Sequence, residues 1–168
     1  MRKIEIEIPD GKMAQWVNGV LTLVDEKPQN VMERIKTFED AVAELSNRAM
    51  NGDKDAGKLL DEWRIIIFSA DSKDLLAYLK LRIITYALNE GWEPKFEEEN
   101  ELRCYPWFNF KTSSVISRVG YGAMRMKYDI FSCSYSYAYS GSRLAFKSKE
   151  LAEYAGKQFV EIYEDWFI

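Results

Sequence analysis

The sequence predicts a single α+β domain spanning residues 1–168. Three observations support this fold class. An Asn-Gly pair separates two short apolar runs near the N-terminus, and the central part repeats apolar residues at helical spacing. Residues 141–167 then change from an alternating pattern to a helical one within a few positions. We therefore expect an N-terminal β-hairpin unit, central helices, and a C-terminal antiparallel sheet covered by a final helix.

The N-terminal unit is predicted from alternation and turn residues. Residues 3–8 alternate isoleucine with charged residues and end at a Pro-Asp-Gly turn signal. Residues 14–17 and 20–24 then flank Asn18-Gly19. Asn-Gly favours a type I′ turn, because both central residues of that turn need a positive φ. This pattern predicts a small antiparallel sheet.

The central part predicts two helices in succession. Asn30 is suited to cap the first, with Glu33 in the position of a capping box, and an apolar stripe continues to about residue 50, where Asn51-Gly52 ends the helix. A second helix is predicted from about Asp55. The β-branched run at its end, residues 65–68, leaves a buried strand as the alternative.

A third helix and the C-terminal sheet follow. Asp71 is predicted to cap the helix, which runs to about Asn89 with Gly91 at the C′ position. Strands are then expected at residues 104–110, 126–139 and 143–147, with a loop between the first two; this is a three-stranded antiparallel sheet. A single helix from Ser148 to the C-terminus completes the fold.

Composition excludes several kinds of catalytic site. The chain has no histidine, which removes Ser-His-Asp and Cys-His arrangements and His-ligated zinc. Two cysteines, Cys104 and Cys133, cannot complete a Cys₄ site, and we expect both to be free thiols, half-buried in strands. No phosphate-cradling glycine motif occurs. A carboxylate-based enzyme is the weakest of the alternatives. We therefore expect no enzyme activity, no cofactor and no metal.

The N-terminus has no apolar core of a signal peptide, and no apolar run is long enough to cross a bilayer. These features predict a cytoplasmic protein without membrane contact. Charge is distributed unevenly: residues 102–149 hold eight basic side chains and one acidic one, within a chain of net charge −4. A segment this basic could bind a polyanion or could dock on the acidic helices.

Five blocks resemble a known family: residues 8–12, 20–27, 75–94 (LLAYLKLRIITYALNEGWEP), 105–108 (YPWF) and 141–159 (GSRLAFKSKELAEYAGKQF). The family consists of small uncharacterised proteins encoded by phages, prophages and other mobile elements of gut anaerobes. Residues 50–70 and 111–134 do not match it. The family has no assigned activity, so the resemblance implies a phage or mobile-element setting and transfers no catalytic residue.

Two functions fit these observations. The first is a non-enzymatic accessory protein that works through protein–protein contacts, with an unknown partner or by self-association. The second is a single-stranded DNA- or RNA-binding protein whose aromatic, basic C-terminal sheet stacks on bases and follows the phosphates. The candidate surface for either nucleic acid or a partner consists of Arg103, Tyr105, Trp107, Lys127, Tyr135, Tyr137, Tyr139, Arg143 and Lys147. If these aromatics pack beneath the last helix instead, the stacking surface does not exist.

Overall fold

The computed structural model describes residues 7–17, 19–25, 30–95, 101–112, 124–134 and 142–167. It confirms the predicted α+β class. The elements in chain order are β1 (Lys12–Val17), β2 (Val20–Asp25), α1 (Val31–Arg34), α2 (Phe38–Met50), α3 (Lys54–Ile66), α4 (Lys73–Leu88), β3 (Arg103–Thr112), β4 (Met124–Ser134), a 3₁₀ turn (Ser142–Leu144), α5 (Lys149–Gln158) and α6 (Val160–Phe167).

The predicted N-terminal hairpin is confirmed. Strands β1 and β2 are antiparallel, and Val17 pairs with Val20, which leaves a two-residue turn. Gly19 has φ +80°, as a type I′ turn requires. Asn18 and most of the strand predicted at residues 3–8 lie outside the described residues.

The predicted first helix is in fact two helices. Asn30 caps α1 by accepting a hydrogen bond from the Met32 N–H at 3.0 Å. A separate capping box starts α2: the Thr37 hydroxyl accepts from Asp40 N–H at 3.1 Å, and the Asp40 carboxylate accepts from Thr37 N–H at 2.9 Å. Backbone hydrogen bonds, that from the Lys36 N–H foremost, hold the pKa of the Asp40 carboxyl below its usual value. The chain therefore turns between α1 and α2.

The second and third predicted helices are confirmed as α3 and α4. Asp53 caps α3 and accepts from Ala56 N–H at 3.0 Å, and the run that suggested a buried strand belongs to the helix and the turn after it. Ser72, rather than Asp71, caps α4. Helix α4 is the centre of the fold, since it packs against α2, α3, α6 and the 3₁₀ turn and half of its residues are buried.

A Schellman motif ends α4, but the left-handed C′ residue is Glu90 rather than Gly91. Glu90 has φ +54°, and the Gly91 N–H donates to the Tyr86 carbonyl at 3.1 Å, as this motif requires. The Glu90 carboxylate lies 3.3 Å from Arg34 and 2.9 Å from Lys147. The hydrogen bond from Lys147 is the main reason that the pKa of Glu90 lies below its usual value. Glu90 thus ties α1 and the C-terminal segment to the end of α4.

The C-terminal sheet has two described strands and not the predicted three. Strands β3 and β4 are antiparallel, with an irregularity beside Trp107. The prediction of a strand at residues 143–147 is wrong. This segment starts as a 3₁₀ turn and makes a single β-bridge, in which Phe146 exchanges backbone hydrogen bonds of 3.0 and 2.8 Å with Cys104. The other edge of this segment is hydrogen-bonded by a side chain. The buried Asn89 amide donates to the Ala145 carbonyl at 2.7 Å and accepts from the Lys147 N–H at 3.1 Å.

The prediction of free thiols is wrong for Cys104, which is fully buried and disulfide-bonded. The chain's other cysteine, Cys133, stands opposite it in the register of β3 and β4. The backbone N–H and carbonyl of Cys104 are both hydrogen-bonded to Phe146 and therefore point away from β4. Cys104 and Cys133 are thus a non-hydrogen-bonded pair of the β3–β4 ladder. Cα atoms in such pairs lie about 4.5 Å apart, within the range that a disulfide spans.

The predicted last helix is interrupted. Phe159 ends α5 and its N–H donates to the Ala155 carbonyl at 3.0 Å; α6 begins one residue later. Helix α5 packs on both C-terminal strands, and the Phe108 and Tyr163 rings lie 4.7 Å apart between β3 and α6. The last helical region therefore covers the sheet as predicted, but in two pieces. Within the described ranges, no helix combines the length and the apolar character needed to cross a bilayer.

Candidate functional site

Three of the predicted surface residues alternate along one face of β3. Arg103 is only 3% exposed, and its guanidinium donates to the Lys95 carbonyl at 2.6 Å and lies 3.3 Å from Glu101. It is therefore part of the interior and not of an open basic surface. Tyr105 is half-buried, and burial raises the pKa of its phenol. Trp107 is 57% exposed.

The other predicted residues lie in different settings. Lys147 forms its ion pair with Glu90, and Arg143 lies exposed in the 3₁₀ turn. The backbone of Lys127 lies opposite Asn109 in the sheet. Tyr135, Tyr137 and Tyr139 lie outside the described residues, so the stacking surface stays a prediction.

A different surface, an apolar groove of about 580 Å³, lies between α2, α3 and α4. The lining residues come in pairs spaced by four. Helix α2 contributes two such pairs, Phe38 with Val42 and Glu39 with Ala43; α3 and its end contribute Trp63 with Ile67, and α4 contributes Leu76 with Lys80. Residues at this spacing lie on the same face of a helix. The groove is thus a direct product of three amphipathic patterns that meet.

Aromatic packing shapes the floor of the groove. The Phe38 and Trp63 rings meet edge to face, with centroids 5.1 Å apart and planes at 72°. Both side chains are partly buried and pack against the main core. Because Thr37 fixes the start of α2 one residue before Phe38, the capping box also fixes where this ring enters the groove.

One cation and one anion lie at the rim of the groove. The Lys80 Nζ is 5.7 Å from the centre of the Phe38 ring, within cation–π range. Glu39 lies on the opposite helix and is exposed. Neither side chain forms an ion pair with another residue in the described part of the chain. Both charges are therefore open to a partner.

Apolar side chains continue from the groove onto the surface at the end of α3. Phe68 is 91% exposed and directly follows groove residue Ile67 in sequence. Ile65 is 70% exposed, but it lies two positions from both Trp63 and Ile67 and therefore faces away from the groove. The sequence carried a signal for this surface, since four consecutive apolar residues exceed what one face of a helix can bury. The same run leaves a buried strand as the alternative to the predicted helix, and neither interpretation places these side chains on the surface.

Comparison with protein families, with curated proteins and with solved structures finds no match for this chain. The resemblance to a phage-encoded family therefore stays a prediction. In the described part of the chain, no group of three or more His, Cys, Asp or Glu side chains is arranged to hold a metal ion. The groove geometry is the observation from which a function can be argued.

Proposed function

We propose that this protein is a non-enzymatic accessory protein that works through protein–protein contacts, and that the groove between α2, α3 and α4 binds an amphipathic helix of a partner protein. The observation that carries this proposal is the apolar surface that the groove forms with Ile67 and Phe68 at the end of α3. The phage or mobile-element setting rests on the sequence resemblance alone.

The shape and the charges of the groove specify the partner. A groove lined by three helices suits a helix that places apolar side chains at positions i, i+4 and i+7. An acidic residue on that helix would pair with Lys80, and a basic residue would pair with Glu39. Ile67, which is 42% exposed, would be covered on binding.

A defined peptide tests the proposal without knowledge of the natural partner. The probe is a fluorescein-labelled helical peptide of about 18 residues, with leucines at i, i+4 and i+7 flanked by one glutamate and one lysine. Fluorescence anisotropy should show saturable binding to the wild type. Ile67→Glu should weaken it about tenfold or more, because burying one isoleucine contributes about 1.5 to 3 kcal/mol.

Ile65→Glu is the matched control. It introduces the same charge on the same helix, at a position that is exposed and does not line the groove, and it should leave peptide affinity unchanged. Lys80→Glu should weaken the glutamate-bearing peptide and strengthen one in which that glutamate is replaced by lysine. Absence of peptide binding, or equal loss in both isoleucine variants, would contradict the proposal.

Two other outcomes would identify a different partner. If sedimentation shows a wild-type dimer that Ile67→Glu dissociates, the occupant of the groove is a second copy of the chain and not a partner helix.

The exposed Trp107 on the outer face of β3 supports the nucleic-acid alternative. Binding of a labelled single-stranded oligonucleotide that falls between ~50 and ~200 mM salt, without peptide binding, would favour that alternative.

A further inference from the structure

A second concave site lies between α3, α4, the segment after α4 and the 3₁₀ turn. It is a cleft of about 420 Å³ that opens into an outer region of about 320 Å³, and it shares no lining residue with the groove. The volume is in the range of sites that bind small molecules. Its polar groups fall into two sets, one at the bottom and one at the mouth.

Thr85 lies at the bottom of the cleft. It is 3% exposed, and its hydroxyl oxygen makes no hydrogen bond within the described part of the chain. A buried hydroxyl without a partner is destabilising, so native structures rarely retain one without a reason. Asn89, the neighbouring buried polar residue of the lining, has both its amide nitrogen and its amide oxygen hydrogen-bonded to backbone groups. The Thr85 oxygen is itself shielded from solvent, so a bound molecule satisfies this hydroxyl only when the side chain rotates towards the cleft.

Arg143 and Glu93 lie at the mouth and line both the cleft and its outer region. Both are exposed, and neither forms an ion pair with any described residue. The other charged side chains of the lining are paired with one another: Arg82 with Glu62 at 2.7 Å, and Lys58 with Asp55 at 2.8 Å. One positive and one negative group are left for a ligand.

Apolar surface connects the mouth to the bottom. Leu59 and Ala145 are buried in the wall, and Trp92 and Pro94 flank them from the segment after α4. A ligand that matches this arrangement carries a cation and an anion at one end, an apolar body, and a hydrogen-bonding group at the far end. A polyanion does not match it, because the lining charges balance.

We propose that this cleft binds a small zwitterion with an apolar body and a terminal hydroxyl, the chemistry of an aromatic hydroxy amino acid. The carboxylate pairs with Arg143, the ammonium pairs with Glu93, and the hydroxyl bonds to Thr85. This site is separate from the groove and does not depend on the proposed partner helix.

Isothermal titration calorimetry with L-tyrosine and L-phenylalanine tests the proposal. The wild type should bind L-tyrosine at least about tenfold more tightly than L-phenylalanine, because only the former satisfies Thr85. Thr85→Val conserves the shape of the side chain and should remove this preference. Arg143→Met should weaken both ligands about tenfold or more, and Lys157→Met, an exposed change on α5, should weaken neither.

Analogues separate the two charges at the mouth. Tyramine lacks the carboxylate and should bind the wild type and Arg143→Met equally, whereas N-acetyl-L-tyrosine lacks the ammonium and should bind the wild type and Glu93→Gln equally. Absence of saturable L-tyrosine binding up to ~2 mM, a concentration above the range of about 1 μM to 1 mM in which most enzymes half-saturate with their substrates, would overturn the proposal. So would binding that Thr85→Val and Arg143→Met leave unchanged. If Thr85→Val fails to fold, the Arg143→Met result tests the proposal by itself. That variant should fold, because Arg143 is exposed and lies outside the core.

Discussion

At the scale of single residues, Asp53 joins three helices. Its carboxylate caps α3, forms an ion pair of 2.8 Å with Arg48 at the end of α2, and accepts one bifurcated hydrogen bond from the Tyr86 hydroxyl on α4, whose oxygen is 3.0 and 3.1 Å from the two carboxylate oxygens. The Arg48 guanidinium also lies 5.4 Å from the centre of the Tyr86 ring. Burial raises the pKa of Asp53, but the hydrogen bonds from Ala56, Arg48 and Tyr86 outweigh it and hold the pKa below its usual value. Burial and the Asp53 carboxylate together raise the pKa of Tyr86 to about 12.

Asp53→Asn should make stability less dependent on pH. The folded-state pKa of Asp53 is lowered, so its stabilisation is present above the unfolded-state pKa of about 3.9 and is lost as pH falls through the folded-state value. We expect urea denaturation to show a loss of about 1 to 2 kcal/mol at pH 7 that shrinks towards pH 3. Asp61→Asn, which removes an exposed pair with Arg64, should change little. A loss that is the same at both pH values would contradict this assignment.

At the scale of elements, the sequence predicted the existence of most helices and strands but not their interruptions. The apolar stripe from Val31 to Leu45 continues in phase across the break between α1 and α2, so its period predicts one helix. The local signal for the break was present in Thr37 and Asp40, a capping box in the middle of the stripe. Hydrophobic periodicity reports which face is buried, and capping residues report where a helix starts.

The strand predicted at residues 143–147 failed for a different reason. Alternation of apolar and polar residues indicates an extended segment, but only the tertiary partners of that segment decide whether it joins a sheet. Here one edge meets Cys104 of β3 and the other meets the side chain of Asn89, far away in sequence. A single side-chain amide makes the hydrogen bonds that a neighbouring strand would otherwise make. No local sequence pattern predicts this long-range contact.

Asn89→Ala should therefore destabilise the fold more than an ordinary polar truncation. It leaves the Ala145 carbonyl and the Lys147 N–H without their partner at a site where Asn89 is 2% exposed. We expect a loss of about 2 to 4 kcal/mol in urea denaturation, since each buried group left unpaired costs about 1 to 3 kcal/mol. Asn51→Ala, at the exposed end of α2, is the control and should cost less than about 1 kcal/mol. Equal losses of stability in the two variants would show that water binds the Ala145 carbonyl and the Lys147 N–H once the amide is removed.

At the scale of the whole molecule, the basic segment is partly neutralised within the protein. Two of its described cations, Arg103 and Lys147, contact Glu101 and Glu90. Of the two interpretations of this charge, docking on the acidic helices is supported by Lys147, because Glu90 directly follows the C-cap of α4, whereas Glu101 lies two residues before Arg103 in the same segment. The groove was beyond sequence reasoning, because each helix shows its own apolar stripe but only their packing decides which part stays uncovered.

The disulfide bears on where the whole molecule can fold. Disulfides persist in oxidising compartments and are rare in the cytosol, so the bond at Cys104 and the predicted cytoplasmic setting disagree. A bond between Cys104 and Cys133 closes a loop of about 30 residues and should stabilise the fold by about 3.6 kcal/mol. Dithiothreitol should lower the free energy of unfolding by that amount in the wild type and have no effect on a Cys104→Ala, Cys133→Ala double variant. Titration of thiols in denaturant without reductant should find none in the wild type. Two titratable thiols and an unfolding curve insensitive to reductant would instead show that the strands pair without the bond, and the cytoplasmic prediction would stand.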